Sequence, residues 1–330
     1  MRKQIVILYV LLVLIFPQLL LSIVKTEVKR NEATDDFISE VKTAIISEKP
    51  SRTIHVYDED ILLEMPLDTY VTGVVLAEMP ADFEPEALKA QAVACRTFAL
   101  KSMQRSKHKD AFVCTDPTCC QAFISPSEYT GSENNLEKVY LATKETENEV
   151  LMFDGNLIEA TYFSCSGGKT EAAVEVWGAD VPYLQSVESP GEEISSNYET
   201  TKSFTHANFK QMLGLPQSMN LNEMKMDLTY TEGGGIETLK IGDSVYSGVQ
   251  VRSLLSLRST IFSIEHTDDC VLITTKGYGH RVGMSQYGAE AMAVAGAQYD
   301  EILQHYYLGT DLARLSVEEM DTIFDKAENI

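Results

Sequence analysis

The chain has 330 residues, with 49 acidic against 27 basic side chains and a formal net charge of −22. That balance excludes a nucleic-acid binder, which needs a basic patch to release the counterions of a phosphate backbone. At 44% hydrophobic and 23% charged, with neither Gly nor Pro in excess, the composition is globular, and the length allows one large domain or two smaller ones.

Arg2 and Lys3 precede a run from Ile5 to Val24 that holds no charge and only Gln18 and Ser22 as polar interruptions. Twenty helical residues at about 1.5 Å each span about 30 Å, the thickness of a bilayer's hydrocarbon core. The run is longer than a signal-peptide core, and no small-x-small cleavage site follows it. Residues 1–24 therefore read as a cytoplasmic tip and membrane anchor that export the rest of the chain, followed by a polar juxtamembrane stalk over 25–52. A single extracytoplasmic domain over 53–315 and an acidic tail over 316–330 complete the organisation. Within the domain, Thr53 to Ile61 reads as a strand, and Glu86 to Lys101 as a helix with an apolar stripe at Leu88, Ala92, Cys95 and Ala99, Pro85 standing just before it. Residues 106–135 read as a polar, Cys-containing loop. A hairpin turning at Asp154-Gly155, a helix near Phe204 to Leu213 and strands around Gly233-Gly234-Gly235 follow. Next come a helix near Val249 to Leu255, a hairpin turning at Asp268-Asp269 and a helix over 298–308, and the tail from Ser316 reads as a loosely held helix. Short strands and isolated helices without βα alternation predict an α+β fold.

Three stretches can carry chemistry. Leu67 to Ala77 is largely apolar and ends at Glu78-Met79-Pro80, where the proline stops the preceding structure. A carboxyl at such a break can be desolvated and its pKa raised, as a general acid requires, although pattern alone favours a solvated helix end. Lys89 and Arg96 lie two turns apart on one helix face and can offer donors to sugar hydroxyls, or form that helix's solvated side. The loop H-x5-C-x4-C-C gathers His108, Cys114, Cys119 and Cys120, an N/S set suited to tetrahedral zinc. An exported location equally permits a disulfide of Cys114 with Cys119 or Cys120. Ser164 to Thr170 is neither a phosphate loop nor a cysteine nucleophile with a placed base; its glycines let a ligand approach the backbone. Gly277 to Gly288 reads as a tight turn entering a helix at Ala289, where Ser285 or Gln286 can donate to a ligand; His280 could titrate near neutrality, but a lone loop histidine reads first as a hydrogen-bonded scaffold residue.

EMPADFEPEALKAQAVACRTF from Glu78, SCSGGKT from Ser164, VWG with PYL, and GYGHRVGMSQYGA from Gly277 together resemble the stage II sporulation protein D and amidase-enhancer family, over roughly residues 53–313. The resemblance implies a peptidoglycan lytic transglycosylase of the septal wall, acting in engulfment during sporulation, with Glu78 as its acid/base carboxylate. It implies that Lys89, Arg96, Thr170 and Tyr183 matter for activity. Its implied partners are peptidoglycan glycan strands stripped of stem peptides, a cell-wall amidase or endopeptidase, and a membrane partner of the engulfment complex. Some members hold zinc at the loop through His and Cys; here Cys119-Cys120 stands where His-Cys is familiar, which exchanges one nitrogen ligand for sulfur. Four protein ligands make such a zinc structural, because no position stays open for water. The enhancer branch implies the rival function, a glycan-binding activator of an amidase without chemistry of its own.

Overall fold

The computed structural model describes residues 52–328 apart from 60, 106, 197 and 222–224, so the expected anchor over 1–24 and nearly all of the expected stalk over 25–52 lie outside the described residues. Among the described residues no helix is long and apolar enough to cross a membrane. The architecture is α+β, with helices packed among five small sheets.

The expected first strand is a hairpin of β1 (Thr53–Asp58) and β2 (Ile61–Pro66), running straight into α1 (Leu67–Glu78). The next helix, α2 (Pro85–Ser102), extends the predicted one by a residue at each end. All four residues of its apolar stripe are fully buried, but so are Ala87, Ala90, Ala94 and Leu100, so the helix is covered on every side rather than on one. Its alanines let neighbours approach closely: α1, α3 (Glu133–Glu145), β4 (Glu149–Phe153), α7 (Gln286–Val294) and α8 (Tyr299–Tyr306) all pack on it. Between α2 and α3 the polar loop carries β3 (Val113–Cys114), which pairs in parallel with β1.

The turn at Asp154-Gly155 joins β4 to β5 (Asn156–Leu157), both turn residues adopting positive φ (49° and 71°) as a tight hairpin demands. Two-residue strands β6 (Tyr162–Phe163) and β13 (Met284–Ser285) run parallel and bring the SCSGGKT and GYGH stretches side by side. Short helix α4 (Ala173–Trp177) follows β6.

Residues from β7 (Glu199–Thr205) to β12 (Cys270–Lys276) build a second hydrophobic cluster around Phe209, Leu239, Val251 and Ile273. It contains α5 (His206–Leu213), the meander β8 (Met226–Tyr230), β9 (Ile236–Ile241) and β10 (Ser244–Ser247), then α6 (Gly248–Leu254) and β11 (Ile261–His266). The predicted helix at Phe204 starts two residues late because Phe204 and Thr205 are held in β7 by pairing with Val271 and Cys270. Buried Arg281 ties this cluster to the main one. It donates to the carbonyls of Ser166 (2.9 Å), Lys169 (2.8 Å) and Gly233, and pairs with buried Glu171 at 3.3 Å.

After β14 (Asp311–Arg314), which pairs with β4, the tail forms α9 (Val317–Glu328). It is not loosely held. Met320 and Phe324 are buried in the main core, and Arg52 clasps it through Asp321 Oδ1 (3.0 Å) and the Val317 carbonyl (2.6 Å).

Candidate functional site

Glu78 is the last residue of α1. Met79 is extended (φ −124°, ψ 140°), so the chain leaves the helix there and the Glu78 side chain turns into a cavity of about 550 Å³. The carboxyl is half-buried, and Oε1 accepts the Ala122 backbone N–H at 2.7 Å. Burial pushes its pKa above the ordinary carboxylate value, and the Ala122 bond pulls only part of the way back. The cavity wall also includes Gln121, Tyr162, Tyr278, His280 and Gln286, and Glu78 is the single carboxyl among the described lining residues.

The wall behind Glu78 is fixed by a relay. Tyr70 Oη donates to Gln121 Oε1 at 3.1 Å, and Gln121 Nε2 donates to Tyr162 Oη at 2.8 Å. Burial raises both phenols far above their ordinary range, so they stay neutral. Gly73 makes room for this loop. A Cβ there would meet the Phe123 ring at 2.2 Å, and the Gly73 carbonyl accepts the Ile124 N–H at 3.1 Å. The Ala122 donor is thereby seated against the helix that carries its acceptor.

His280 is a hydrogen-bonded scaffold residue, the reading that the sequence favours, rather than a group that titrates near neutrality. Its ring packs between Phe163 (5.6 Å) and Trp177 (5.4 Å), and Nδ1 accepts the Val282 N–H at 3.2 Å. Burial, reinforced by the Arg252 cation, pushes its pKa down to about 4. The imidazole is neutral, with its proton on Nε2. Gln286 lines the cavity, is 5% exposed, and has a buried Nε2 with no partner.

The other sequence-derived candidates stand back from the cavity. Arg96 is fully buried rather than solvated, donating to the carbonyls of Thr146 (2.8 Å) and Thr143 (3.1 Å) and pairing with Asp68 at 3.3 Å. Lys89 bridges Glu86 (2.9 Å) and Glu145 (2.6 Å), tying α2 to α3. Thr170 Oγ1 accepts the Val187 N–H at 2.8 Å, and Tyr183 Oη accepts the Glu159 N–H at 3.1 Å. Ser285 cannot serve a ligand, because its Oγ caps α7 through the Gly288 N–H (3.2 Å) and donates to Glu192. Glu192, which no sequence pattern singles out, is fully buried. It gathers Ser166 Oγ (2.8 Å), the Gly167 N–H (2.8 Å), Ser189 Oγ (2.7 Å) and Ser285, and so shapes the glycine loop.

His108, Cys114, Cys119 and Cys120 do converge, their ligand atoms all within 4.8 Å of one another. His108 Nε2 lies 3.4 Å from Cys120 Sγ and 3.8 Å from Cys119 Sγ, and those two sulfurs are 4.0 Å apart. A tetrahedral zinc with ordinary bond lengths places N···S pairs about 3.6 Å and S···S pairs about 3.8 Å apart. The set fits a metal ion. All six cysteines are free, so the alternative disulfide within the loop is not formed. Cys120 is followed directly by Gln121 and Ala122, which makes the cluster the near anchor of the segment that contacts Glu78.

A family model described as stage II sporulation protein matches residues 58–153, which contain Glu78, α2 and the whole His/Cys loop. Stage II sporulation protein D of Bacillus subtilis (strain 168) is 39% identical over 259 residues, covering 76% of this chain and 75% of that protein. Its counterpart in Bacillus amyloliquefaciens is 38% identical over 76% of this chain and 74% of its own length. The amidase enhancer of Bacillus subtilis (strain 168) is 29% identical over 73% of this chain but only 40% of that protein. On the shared length and identity with the first two relatives, the chain belongs to the stage II sporulation protein D family.

Proposed function

We propose that the chain is a membrane-anchored lytic transglycosylase that cuts the MurNAc–GlcNAc bonds of peptidoglycan from the extracytoplasmic side, in septal wall remodelling and engulfment. The observation that carries this reading is the lone carboxyl in the cavity. Glycoside hydrolysis ordinarily needs two carboxyls, one to protonate the leaving oxygen and one to activate water or attack. Ring closure on the substrate's own hydroxyl needs one.

Glu78 starts protonated, which its desolvation favours. It gives its proton to the glycosidic oxygen, the bond to MurNAc C1 breaks, and the GlcNAc hydroxyl leaves. The carboxylate then takes the proton of the MurNAc C6 hydroxyl as O6 bonds to C1, forming a 1,6-anhydro ring and restoring the acid. Between those steps the Ala122 N–H is an aimed donor for the negative carboxylate. Neutral His280 and the neutral phenols leave Glu78 without a nearby cation that would strip its proton early. Gln286, with its unpartnered amide, supplies a donor to the sugar. Lys89, Arg96, Thr170, Tyr183 and Ser285 act through the scaffold, holding α2, α3 and the loops that form the cavity. We assign zinc to His108, Cys114, Cys119 and Cys120. Its role there is structural, since four protein ligands leave no open position. Residues 1–24 serve as the anchor, and an amidase that strips stem peptides supplies the substrate.

The test uses the full chain in detergent on peptide-free glycan strands, with products read by mass spectrometry. Wild type releases 1,6-anhydro ends. Glu78→Gln, nearly isosteric and still able to accept from Ala122, folds with the same circular dichroism and is slower by on the order of 10²–10⁴-fold. A glutamine variant as fast as wild type overturns the reading. The similarity to an amidase enhancer favours one rival, a wall-binding activator without chemistry. Under that rival, purified wild type binds strands and releases nothing, and Glu78→Gln activates the amidase unchanged.

A further inference from the structure

The ligand set of the His/Cys loop leaves a charge to be offset. His108, Cys114, Cys119 and Cys120 bring three sulfurs and one nitrogen to a single point. Cysteine binds zinc as thiolate and histidine as neutral imidazole, so the loaded centre carries one net negative charge. Cys114 is buried and the other three ligands are half-buried, so water screens that charge only in part. The surroundings add to it. Asp116 lies between the ligands in sequence, and the whole chain bears a net charge of −22.

Each sulfur has a donor. The Asp116 N–H turns to Cys114 and the Cys114 N–H to Cys120, so the backbone serves those two. Cys119 is served by a side chain, Lys107. The Lys107 ammonium donates to the Cys119 carbonyl at 2.5 Å and faces all three sulfurs, that of Cys119 most strongly. Asp116 also feels this cation, but its carboxylate accepts from the Thr118 N–H (2.8 Å) and Oγ (2.7 Å). The loop's other lysine, Lys109, is exposed, with no bond to the cluster among the described residues. One cation thus stands against the sulfur that the backbone leaves without a donor.

We propose that Lys107 is the counter-charge of the metal centre, an outer residue that offsets the third thiolate, Cys119, and so tightens zinc binding. The proposal rests on the zinc assignment above and is independent of the glycan chemistry. Lys107 and Cys119 act as a pair. With only two thiolates the centre is neutral, and the lysine has no excess charge to offset.

The test uses the full-length chain in detergent and reads zinc affinity by competition with a chromophoric chelator, zinc alone being the probe. Lys107→Gln keeps a donor for the Cys119 carbonyl and loses the charge. It is expected to weaken zinc binding about tenfold, the low end for an outer residue because Lys107 is exposed. Lys107→Arg restores the wild-type affinity, and Lys109→Gln, the same change in net charge two residues away, leaves it in place. Cys119→His makes the set neutral, and in that background Lys107→Gln has no further effect. Raising the salt from about 0.05 M to about 1 M, where screening sets in beyond about 3 Å, narrows the gap between wild type and Lys107→Gln. This salt series decides the matter whether or not Cys119→His still loads. Cobalt(II) in place of zinc gives wild type and Lys107→Gln the same tetrahedral absorption, since the charge has changed and the ligands have not. Equal zinc affinity in those two chains, an equal loss in the Cys119→His background, a gap unmoved by salt, or altered cobalt bands overturns the counter-charge alone. A wild-type chain that takes up no zinc overturns it together with the metal assignment beneath it.

Discussion

His280 shares the cavity with Glu78 but does not compete for its proton, because a buried imidazole beside Arg252 resists a charge. Its folded pKa, about 4, lies below the unfolded value near 6.5. A depressed pKa means stability that is complete above the unfolded value and is lost as pH falls through the folded one. The pH series of melting temperature should therefore steepen between about 6.5 and 4. His280→Asn, whose Oδ1 can still accept from Val282, should flatten that interval relative to wild type, as calorimetry will show; parallel curves would contradict the assignment. At this scale the sequence was a partial guide. The Met79-Pro80 break after an apolar run marks Glu78, but that pattern alone favours a solvated helix end, and only the family resemblance points to an acid/base role. Lys89 and Arg96 shared a helix face as expected, yet that face is buried against α3, which a one-dimensional pattern cannot register. Ser285 looked free as a donor because its two partners, Glu192 and Gly288, meet it only in the fold.

The elements explain why one backbone donor reaches Glu78 so well. Ala122 is pinned between α1, through the Gly73 seat, and the His/Cys cluster at its N-terminal side. With zinc bound there, the loop is cross-linked to its own start at His108, and losing the ion frees the segment that carries Gln121 and Ala122. Removal by a strong chelator, or Cys120→Ser, should lower the melting temperature by at least a few degrees, each kcal/mol being worth roughly 2–4 °C for a domain of this size. Elemental analysis should find one zinc per wild-type chain. A chain that carries no zinc, or that melts unchanged without it, would refute the structural metal. Helix α2 was legible from its alanines, its stripe and Pro85. Helix α1 was not, because Val71, Thr72, Gly73, Val74 and Val75 are poor helix formers and are helical only by packing on α2. Helix α3 lies beyond the polar loop in the sequence reading, although Ser132 caps it through the Asn135 N–H and Leu136, Val139 and Thr143 mark one buried face. The two-residue strands β6 and β13 leave no periodic trace at all, yet β6 lines the cavity through Tyr162 and Phe163 and β13 pairs with it.

Across the whole molecule, two hydrophobic clusters meet at a polar seam built on Arg281. That residue adopts φ 69° and keeps its charge, because Glu171 and Glu192 offset the burial that pulls its pKa down to about 10. The seam holds the Ser164–Thr170 loop and the Gly277–Gly283 turn together, and both contribute to the cavity wall around Glu78. The α+β class and the hairpins of the second cluster follow from turn residues and alternation. The seam does not, since its contacts join residues as far apart as Ser166 and Arg281. Among the described lining residues the cavity presents one carboxyl; on the proposed reading, the new bond at MurNAc C1 comes from the substrate itself. Digestion of peptide-free strands in oxygen-18-labelled water tests that most directly. The account predicts muramic ends that are one water lighter than a reducing end and free of label; reducing ends that carry oxygen-18 would contradict it.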